Sequence, residues 1–322
     1  MADALVDQLR RTCNGTVTPA AALAPLTTMK VGGPARVLVQ ASSADDLAAV
    51  GAACADHGVP WLVVDRGSNL LVADGGFPGV AITLGRAFRG ISVEGTVVRA
   101  GAAELLPVTA VRCAASALHG LAFGAAIPGS VGGAVRMNAG AHGREISDVL
   151  AAAEVVYLED GRTRTLEASE LGLRYRHSSL PRDAVVVAAR FVLEPGDAAA
   201  ERAEIGAVKS WRRAHQPINS PSCGSVFTNP PDDSAGRLVD AVGAKGWRVG
   251  GAAVSQVHAN FIVTQPGARA SDVRELVERL HAEVARRTGV TLVPEVVMVG
   301  FDDGAPLGAV GASSAGGGDD HG

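Results

Sequence analysis

Apolar residues in this chain recur at two spacings, one typical of helices and one typical of strands. The region 271–289 has the clearest helix ends, with Ser271 as the predicted N-cap, arginines in the last turn and Gly289 after it. Five regions in all show the helical spacing and are predicted helices: residues 42–58, 106–120, 197–217, 234–246 and 271–289.

Short runs rich in valine and isoleucine separate these helices and predict strands. The Asp160–Gly161 pair predicts a hairpin turn inside the run 149–168. Because strands and helices do not alternate regularly, the pattern predicts an α+β fold rather than a doubly wound sheet. The clearest runs are residues 60–65, 79–84, 149–168, 184–196 and 290–300.

The composition excludes several classes of protein. The chain of 322 residues is long enough for two or three domains, and 47% of its residues are hydrophobic. With 29 basic and 33 acidic residues, the net charge of -4 gives no general attraction to nucleic acid or to an anionic membrane. The uncharged stretch 113–135 contains five glycines and is weakly hydrophobic. It therefore predicts a helix that runs into a glycine-rich loop, and not a membrane span.

Cysteine and histidine positions predict no metal site. The four cysteines are scattered without a paired spacing, which is typical of free thiols in a reducing compartment. The eight histidines are dispersed as well. The first twelve residues lack the basic and apolar regions of a signal peptide.

Three glycine-rich segments are candidate ligand-binding loops: residues 30–37, 65–72 and 126–143. None is followed by the Lys-Ser/Thr of a phosphate-binding P-loop, and none fits the dinucleotide fingerprint of a Rossmann fold. Consecutive backbone N–H groups in such segments can still form a nest for a diphosphate. Any one segment alone is explained by turn chemistry, whereas three together favour a bound ligand.

Seven segments follow one another from about Thr27 to Gly300: TTMKVGGPAR, VVDRGSNLLVADGGFPGVAI, AIPGSVGGAVRMNAGAHG, LRYRHSSLP, QPINSPSCGSVFTNPP, AGRLVDAVGAKGWRVGGAAVSQVHANFIV and VPEVVMVG. In this order the chain resembles the UDP-N-acetylenolpyruvoylglucosamine reductases. The short span from Ser225 to Glu295 resembles the family's shorter subtype, which lacks an extra insertion in the substrate domain.

The resemblance implies an FAD-binding fold of the vanillyl-alcohol-oxidase (PCMH) type in two subdomains, with an additional α+β substrate-binding domain. Residues after Asp302 have little apolar surface to bury and predict disorder. The implied division is an N-terminal segment 1–26, an FAD-binding domain 27–196 with a subdomain boundary near residue 85, a connecting helix 197–216, a substrate-binding domain 217–301 and a tail 302–322.

The reaction implied by the resemblance is the NADPH-dependent reduction of UDP-N-acetylglucosamine enolpyruvate to UDP-N-acetylmuramate, a step in peptidoglycan synthesis, through non-covalently bound FAD. Hydride from flavin N5 adds to the terminal carbon of the enolpyruvyl group, and negative charge develops on the neighbouring carbon and its carboxylate. Catalysis therefore needs hydrogen-bond donors at that carboxylate and a proton source for the carbon.

Three residues match the family's catalytic positions. Ser225 in CGSVF matches the proton donor, Arg176 in LRYRHS an arginine suited to a carboxylate, and Glu295 in LVPEVV the third position. The residues taken alone also fit blander roles: a turn serine, a surface arginine and a strand glutamate that faces solvent.

Binding residues follow from the same match. Tyr175, Arg213 and Asn229 resemble substrate-contacting positions, and the roles of His258 and Asn260 stay open. The implied FAD-binding residues lie in two of the glycine-rich segments: Arg66, Gly67, Ser68, Asn69, Leu70, Ile127, Pro128, Gly129, Ser130, Gly132, Gly133, Asn138, Ala139 and Gly140.

Two other functions are compatible with parts of the chain. One is an FAD-dependent oxidase of the same fold. The other is a hydrolase that uses Cys223, since SCGS superficially resembles a thiol-protease motif and His215, His258 and Asn260 could serve as its partners. A reductase would be cytoplasmic, because UDP-sugars and NADPH are cytosolic pools, and no nucleic-acid or membrane partner is expected.

Overall fold

The computed structural model describes residues 3–301, which form seven α-helices with short 3₁₀ turns between some of them. Ser43 accepts a hydrogen bond from the N–H of Asp46 at the start of the second helix, and Gly58 ends that helix in the left-handed conformation. The helices are α1 (Ala4–Thr12), α2 (Ala44–His57), α3 (Leu106–Ala115), α4 (Val131–Arg136), α5 (Ala198–His215), α6 (Ala235–Ala241) and α7 (Ala270–Thr288).

Nineteen strands lie in the same described part of the chain, many of them only two to four residues long. They are β1 (Thr16–Ala22), β2 (Pro34–Ala41), β3 (Trp61–Val63), β4 (Leu70–Val72), β5 (Phe77–Leu84), β6 (Ile91–Glu94), β7 (Val97–Gly101), β8 (Leu118–His119), β9 (Gly140–Ala141), β10 (Arg144–Glu145), β11 (Leu150–Tyr157), β12 (Thr163–Glu167), β13 (Ala184–Val192), β14 (Glu194–Pro195), β15 (Ser222–Ser225), β16 (Arg248–Val249), β17 (Ala252–Val254), β18 (Phe261–Thr264) and β19 (Val297–Val299).

Three sheets contain thirteen of these strands, and the other six form the two-stranded sheets β10-β9, β14-β8 and β19-β4. The first has the order β1-β2-β5-β3, in which β2, β5 and β3 are parallel and β1 is antiparallel to β2. The second is antiparallel with the order β12-β11-β13-β7-β6. The third is antiparallel with the order β15-β18-β17-β16. The described part of the chain therefore combines one mixed sheet with two antiparallel sheets and separate helices, as in an α+β fold.

Two large hydrophobic cores correspond to two parts of the chain. One core joins the first two sheets to α2 and α3 through residues such as Val80, Val155 and Phe191. The other lies under α6 and α7 and contains Leu238 and Leu276. It also includes buried residues from the early part of the chain, namely Met29, Val31 and Leu71.

The last strand returns to the first part of the chain. β19 pairs in parallel with β4, with Val297 opposite Leu70 and Val299 opposite Val72. The hydroxyl of Thr264 also donates to the carbonyl of Met29 at 2.6 Å. The end of the substrate-domain region is thus attached to the strand that follows one of the predicted flavin loops.

Most predicted elements are present, including the hairpin at Asp160–Gly161, where Gly161 has φ +69°. Several regions differ from the prediction. The predicted helix 106–120 ends at Ala115 and the predicted helix 234–246 ends at Ala241, because Ala117 and Gly243 just beyond these ends have positive φ. The glycine-rich segment 126–143 contains the short helix α4, and only the end of the apolar run 290–300 is a strand. Before β19 this run makes a single bridge, between Pro294 and Phe227, while Leu292 and Val296 pack into the second core. Burial of apolar side chains there does not depend on sheet pairing.

The predicted N-cap of α7 is wrong. The helix begins at Ala270, with Arg269 in the cap position. Asp74, from the loop after β4, accepts hydrogen bonds from the N–H groups of Ala270 at 2.7 Å and Ser271 at 3.0 Å. A carboxylate distant in sequence thus satisfies the first N–H groups of the helix, a role that a local sequence pattern cannot reveal.

The predicted domain boundaries stay predictions. β1 pairs with β2 along Thr16–Ala22 and α1 packs against α2, so residues 4–22 are part of the first sheet's structure. The predicted tail 302–322 lies outside the described residues. Among residues 3–301, no helix is long and apolar enough to cross a membrane.

Asp74→Ala is expected to lower the free energy of unfolding by about 1 kcal/mol, because it removes the hydrogen bonds to the start of α7. Burial alone would raise the pKa of Asp74. Hydrogen bonds from the Ser271 side chain and from the Ala270 and Ser271 N–H groups nevertheless hold this pKa below its usual value. The contribution of Asp74 to the free energy of unfolding is therefore present above about pH 4, and it is lost as the pH falls through the folded-state pKa of Asp74.

Urea unfolding at pH 7 and at lower pH measures this difference. Ser271→Ala is the matched control and should cost less, since it retains the main-chain N–H that Asp74 binds. An equal or larger loss in Ser271→Ala would show that the serine, and not Asp74, caps the helix.

Candidate active site

Ser225 lies at the end of β15, where the strand is bulged. The pairing register with β18 shifts between Ser222, opposite Val263, and Ser225, opposite Phe261. Gly224 allows this shift because its φ of +79° is accessible to glycine at low cost. Cys223 is buried in the second core, while Ser225 is only half-buried and its hydroxyl has no hydrogen-bond partner among residues 3–301.

Asn260 holds the backbone that follows Ser225. Its main-chain carbonyl accepts from the N–H of Val226 at 2.9 Å. Its buried side-chain amide accepts from the N–H of Phe227 at 3.0 Å and donates to the carbonyl of the same residue at 2.8 Å. The sequence left the role of Asn260 open, and in the structure Asn260 fixes the main chain of Val226 and Phe227, directly after Ser225.

Arg176 has an unusual backbone conformation for a long side chain, with φ +53°. Such a conformation costs energy in a residue other than glycine and persists only where the surroundings fix it. Its guanidinium donates to Glu295 from Nε at 3.1 Å and to the carbonyl of Gly140 from Nη2 at 2.8 Å. It also lies over the ring of Tyr175, 4.8 Å from the ring centroid.

Glu295 points into the structure, which excludes the solvent-facing alternative. Its side chain is 17% exposed and that of Arg176 is 20% exposed, so the ion pair is largely shielded from water. Burial raises the pKa of Glu295, and the charge of Arg176 and the hydrogen bond from it oppose this rise. Its main-chain N–H donates to the carbonyl of Val226 at 2.8 Å, which places it beside the residue that follows Ser225.

Both predicted flavin loops are hydrogen-bonded to the Arg176–Glu295 pair. From the first loop, Asn69 donates from its side-chain amide to the carbonyl of Glu295 at 2.8 Å. From the second, Gly140 accepts from Arg176. The loops also approach each other, since a Cβ added at Gly129 would lie 3.5 Å from the Ser68 hydroxyl. Catalytic candidates and predicted cofactor loops therefore form one connected region.

Asn138 fixes the shape of the second loop. It is fully buried with φ +42°, its amide donates to the carbonyl of Arg174 at 3.0 Å, and its oxygen accepts from the N–H of Ser147 at 2.9 Å. The hydrogen bond to Arg174 also positions the segment that carries Arg176. The segment 30–37 packs instead against the loop after β4, where the Gly33 N–H donates to the carbonyl of Ala73.

The polar groups near the first loop fit a nucleotide cofactor. The main-chain N–H groups of Gly67, Ser68 and Asn69 donate to no residue within 3–301, and such groups suit a diphosphate. Next to them, Oδ2 of Asp65 is buried without a hydrogen-bond partner in the described part of the chain. An orphaned buried oxygen beside unused N–H donors is the pattern expected where a polar ligand completes the structure.

The predicted substrate residues divide into two groups. The main-chain N–H of Asn229 lies 3.5 Å from the Tyr175 hydroxyl, and Tyr175 adjoins Arg176, so both are near the ion pair. Arg213 is exposed, donates to Ser210 and lines a groove with Arg248. None of the three catalytic candidates lines that groove.

The environment of Cys223 does not favour nucleophilic chemistry. Its thiol is buried among apolar residues, and burial raises its pKa to about 12. His258, a possible partner, uses Nδ1 to accept from the N–H of Asn260 at 3.1 Å. A nucleophilic thiol needs a lowered pKa, so the geometry disfavours the hydrolase alternative.

One group of potential metal ligands lies away from the catalytic candidates. Ligand atoms of His119, Glu201 and Glu204 are within 4.8 Å of one another. His119 Nδ1 and Glu201 Oε1 are 2.6 Å apart, and this hydrogen bond raises the pKa of His119. A hydrogen-bonded ion pair accounts for the closest contact in the group, and the prediction that the chain has no metal site stays untested.

Comparison with known proteins decides the family. The model of the UDP-N-acetylenolpyruvoylglucosamine reductase C-terminal domain matches residues 216–299, and the FAD binding domain model matches 35–167. The reductase of that name from Methylorubrum populi is 42% identical over 305 residues, which cover 94% of this chain and 98% of the relative. This chain belongs to the UDP-N-acetylenolpyruvoylglucosamine reductase family.

Other members of the reductase family agree with this assignment. The enzyme from Rubrobacter xylanophilus is 44% identical and covers 85% of this chain and 92% of its own length. The crystal structure of the Thermus caldophilus reductase superimposes with a TM-score of 0.77 at 36% identity, covering 89% of this chain and 99% of that one. A 6-hydroxy-D-nicotine oxidase from Arthrobacter nicotinovorans matches with a TM-score of 0.55 at 14% identity, which shows a shared fold alone.

Membership in the reductase family confirms the predicted fold class, the FAD cofactor and the flavin-dependent, NADPH-linked reductase activity in peptidoglycan synthesis. The length of the chain fits the predicted shorter form. The oxidase alternative is not supported, since the high-identity relatives that cover most of the chain are reductases.

Two features of the site escaped the sequence analysis. Asp65 was not among the predicted cofactor residues, although an acidic residue directly after the apolar run WLVV is unusual enough to mark it. The contact of Asn69 with the Glu295 carbonyl was also missed, since it joins residues 226 positions apart.

Proposed function

We propose that Ser225, Arg176 and Glu295 carry out the reduction of the enolpyruvyl group of UDP-N-acetylglucosamine enolpyruvate in this member of the family. The observation that supports this proposal is the shielded Arg176–Glu295 ion pair, which is hydrogen-bonded to both predicted flavin loops through Gly140 and Asn69. The pair lies beside the segment that follows Ser225, since the Glu295 N–H donates to Val226.

FAD held by the two predicted loops and reduced by NADPH would supply the hydride for the terminal carbon of the enolpyruvyl group. Arg176 binds the adjacent carboxylate, on which negative charge grows during the reaction. A guanidinium has five N–H donors, so Arg176 can keep its bonds to Glu295 and Gly140 and still donate to the substrate. In a site shielded from water such a fixed charge stabilises the transition state strongly.

Ser225 supplies the proton to the carbon next to the carboxylate. Its hydroxyl has no hydrogen-bond partner among residues 3–301 that could compete for the proton. The Gly224 bulge and the contacts of Asn260 fix its backbone. A neutral hydroxyl is a weak acid, which suits a strongly basic carbanion-like centre.

Glu295 keeps Arg176 in place. Because burial raises the pKa of Glu295 and Arg176 opposes this rise, the carboxyl is sensitive to the charge beside it. A second negative group, the substrate carboxylate, would compete for the same guanidinium. Glu295 is therefore positioned to respond to substrate binding by exchanging hydrogen bonds or a proton.

The remaining predicted residues bind the two ligands. The first loop, from Arg66 to Leu70, and the second, from Ile127 to Gly140, hold FAD. Tyr175 and Asn229 contact the substrate near Arg176, and Arg213 contributes positive charge for the diphosphate of UDP from the neighbouring groove. The last assignment depends on charge alone, because Arg213 is not connected to the other residues by the contacts described above.

The enzyme is expected in the cytoplasm, because its UDP-sugar substrate and NADPH are cytosolic pools. Fractionation of cells that make the full chain, with FAD absorbance followed in each fraction, measures this. Recovery of the flavoprotein in the membrane pellet after a high-salt wash would contradict the proposal.

Ser225→Ala should leave the reduction of FAD by NADPH near the wild-type rate and slow reoxidation by UDP-N-acetylglucosamine enolpyruvate by roughly 100-fold or more. The reason is that only the second half-reaction consumes the proton. Anaerobic stopped-flow absorbance of the flavin measures the two halves separately.

Cys223→Ala is the matched control, two positions away on the same strand, and should retain both rates. Equal slowing of both half-reactions in Ser225→Ala would show that Ser225 is not the proton donor of the second half-reaction. A loss of reoxidation in Cys223→Ala with an intact fold would shift the chemistry to the thiol.

Arg176→Lys should lower kcat/KM for the enolpyruvyl substrate by about tenfold or more while flavin reduction by NADPH stays normal. Lysine keeps the positive charge beside Glu295, but its point charge cannot serve Glu295, Gly140 and a carboxylate at once. Arg174→Lys, an exposed neighbour, is the control and should behave as wild type. A similar loss in both variants would indicate that general positive charge, and not the geometry of Arg176, matters.

A further inference from the structure

Asp65 is the acidic residue between β3 and the first flavin loop. The main chain before it is fixed by the sheet, because the Val64 N–H donates to the carbonyl of Ile82 at 2.7 Å. Its side-chain oxygen Oδ2 is enclosed and is the only buried side-chain nitrogen or oxygen without a hydrogen-bond partner among residues 3–301. Leaving a buried acceptor unsatisfied is costly, so the group needs an explanation.

Asp46, a fully buried aspartate at the start of α2, shows what a structural role looks like. The carboxylate of Asp46 accepts from the N–H groups of Asn14 at 2.7 Å and Ser42 at 2.6 Å, and from the Ser42 hydroxyl at 2.7 Å. These bonds hold its pKa below the usual value in spite of burial. For Asp65 the balance is reversed: burial raises its pKa, and the Ser130 hydroxyl, the Arg66 N–H and the charges of Arg66 and Arg89 oppose this rise only in part. The protein therefore supplies hydrogen-bond donors to both carboxylate oxygens of Asp46, whereas it supplies none to Oδ2 of Asp65.

FAD contains hydroxyl groups that can donate the hydrogen bond that Oδ2 of Asp65 lacks. The unused N–H groups of Gly67, Ser68 and Asn69 suit its diphosphate, which accepts hydrogen bonds and cannot donate them when ionised. On either side the diphosphate is joined to a sugar unit, the ribityl chain and the adenosine ribose, both of which carry hydroxyl groups. These hydroxyls are the donors of FAD nearest to the diphosphate, and Asp65 lies directly before the loop that would hold it.

We propose that Asp65 is an FAD-binding residue whose Oδ2 accepts a hydrogen bond from a sugar hydroxyl of the cofactor. The proposal rests on the FAD-binding function and assigns to it a residue outside the predicted set. On this view Oδ2 is unsatisfied in the protein alone because its partner belongs to the cofactor. A purely structural residue would have its partners within the chain, as Asp46 does.

Dilution of the holoenzyme, with the recovery of flavin fluorescence as the readout, gives the Kd for FAD in the wild type and in variants of the full chain. Asp65→Ala should raise this Kd by about tenfold or more, since a hydrogen bond to a charged acceptor is lost. Its Tm, followed by circular dichroism with FAD in excess, should fall little. Asp46→Ala is the matched control and should show the opposite pattern, with a lower Tm and an unchanged Kd.

An unchanged Kd in Asp65→Ala would overturn the proposal, and so would a raised Kd accompanied by a fall in Tm as large as that of Asp46→Ala. If Asp65→Ala fails to fold, Asp65→Leu, which fills the same space without oxygen atoms, is measured and interpreted in the same way. Failure of the wild type to bind FAD would instead contradict the cofactor assignment itself.

Titration with FMN then distinguishes the two sugar units. FMN carries the ribityl hydroxyls and lacks the adenosine ribose. A loss of affinity in Asp65→Ala for both FMN and FAD would assign the ribityl chain. A loss confined to FAD would assign the ribose, and either result supports the proposal.

Discussion

The ion pair between Arg176 and Glu295 connects all the parts of this enzyme that have to work together. It joins the loop between β12 and β13 to the segment that precedes β19. The Arg176 guanidinium donates to the Gly140 carbonyl of one predicted flavin loop, and the Glu295 carbonyl accepts from the Asn69 amide of the other. Shielding from water makes each of these hydrogen bonds stronger and makes the loss of any one partner more costly. The arrangement of the predicted flavin loops and of the proposed catalytic residues therefore depends on a few contacts between residues far apart in sequence.

The site also contains unfavourable local conformations. Arg176 and Asn138 both have positive φ, although neither is glycine, and both are held by hydrogen bonds to the segment around residues 138–147. Burial also raises the pKa of two half-buried carboxyl groups, that of Glu295 in the ion pair and that of Asp65 before the first predicted flavin loop. Conformational strain and unsatisfied polar groups concentrate where ligands bind, because a ligand restores what the protein alone leaves unfavourable. The two large hydrophobic cores stabilise the fold and offset the cost of these strained conformations and unsatisfied groups.

Local patterns in the sequence were sufficient for elements that local interactions determine. The second helix, with a serine at its start and a glycine after its end, and the Asp160–Gly161 hairpin formed as predicted. Where a partner lies far along the chain, local patterns failed: Ser271 was assigned as a cap that Asp74 provides from 197 positions away. The alternation of residues 290–300 likewise could not decide whether Glu295 faces solvent, since its direction depends on Arg176. The resemblance to a family predicted the catalytic residues, but only the packing of distant segments shows how Asn260 and Gly224 fix the backbone around Ser225.

The pairing of β19 with β4 has a consequence for the order in which the enzyme is assembled. β4 directly follows the first flavin loop, and its parallel partner is close to the end of the described chain. During synthesis the first two sheets can form while β4 still lacks this neighbour, because domains fold from the N-terminus as the chain emerges. Closing a contact over 226 residues is also entropically demanding and slow. The first predicted flavin loop therefore obtains its contacts with Glu295 and β19 only after the C-terminal part of the chain has been made.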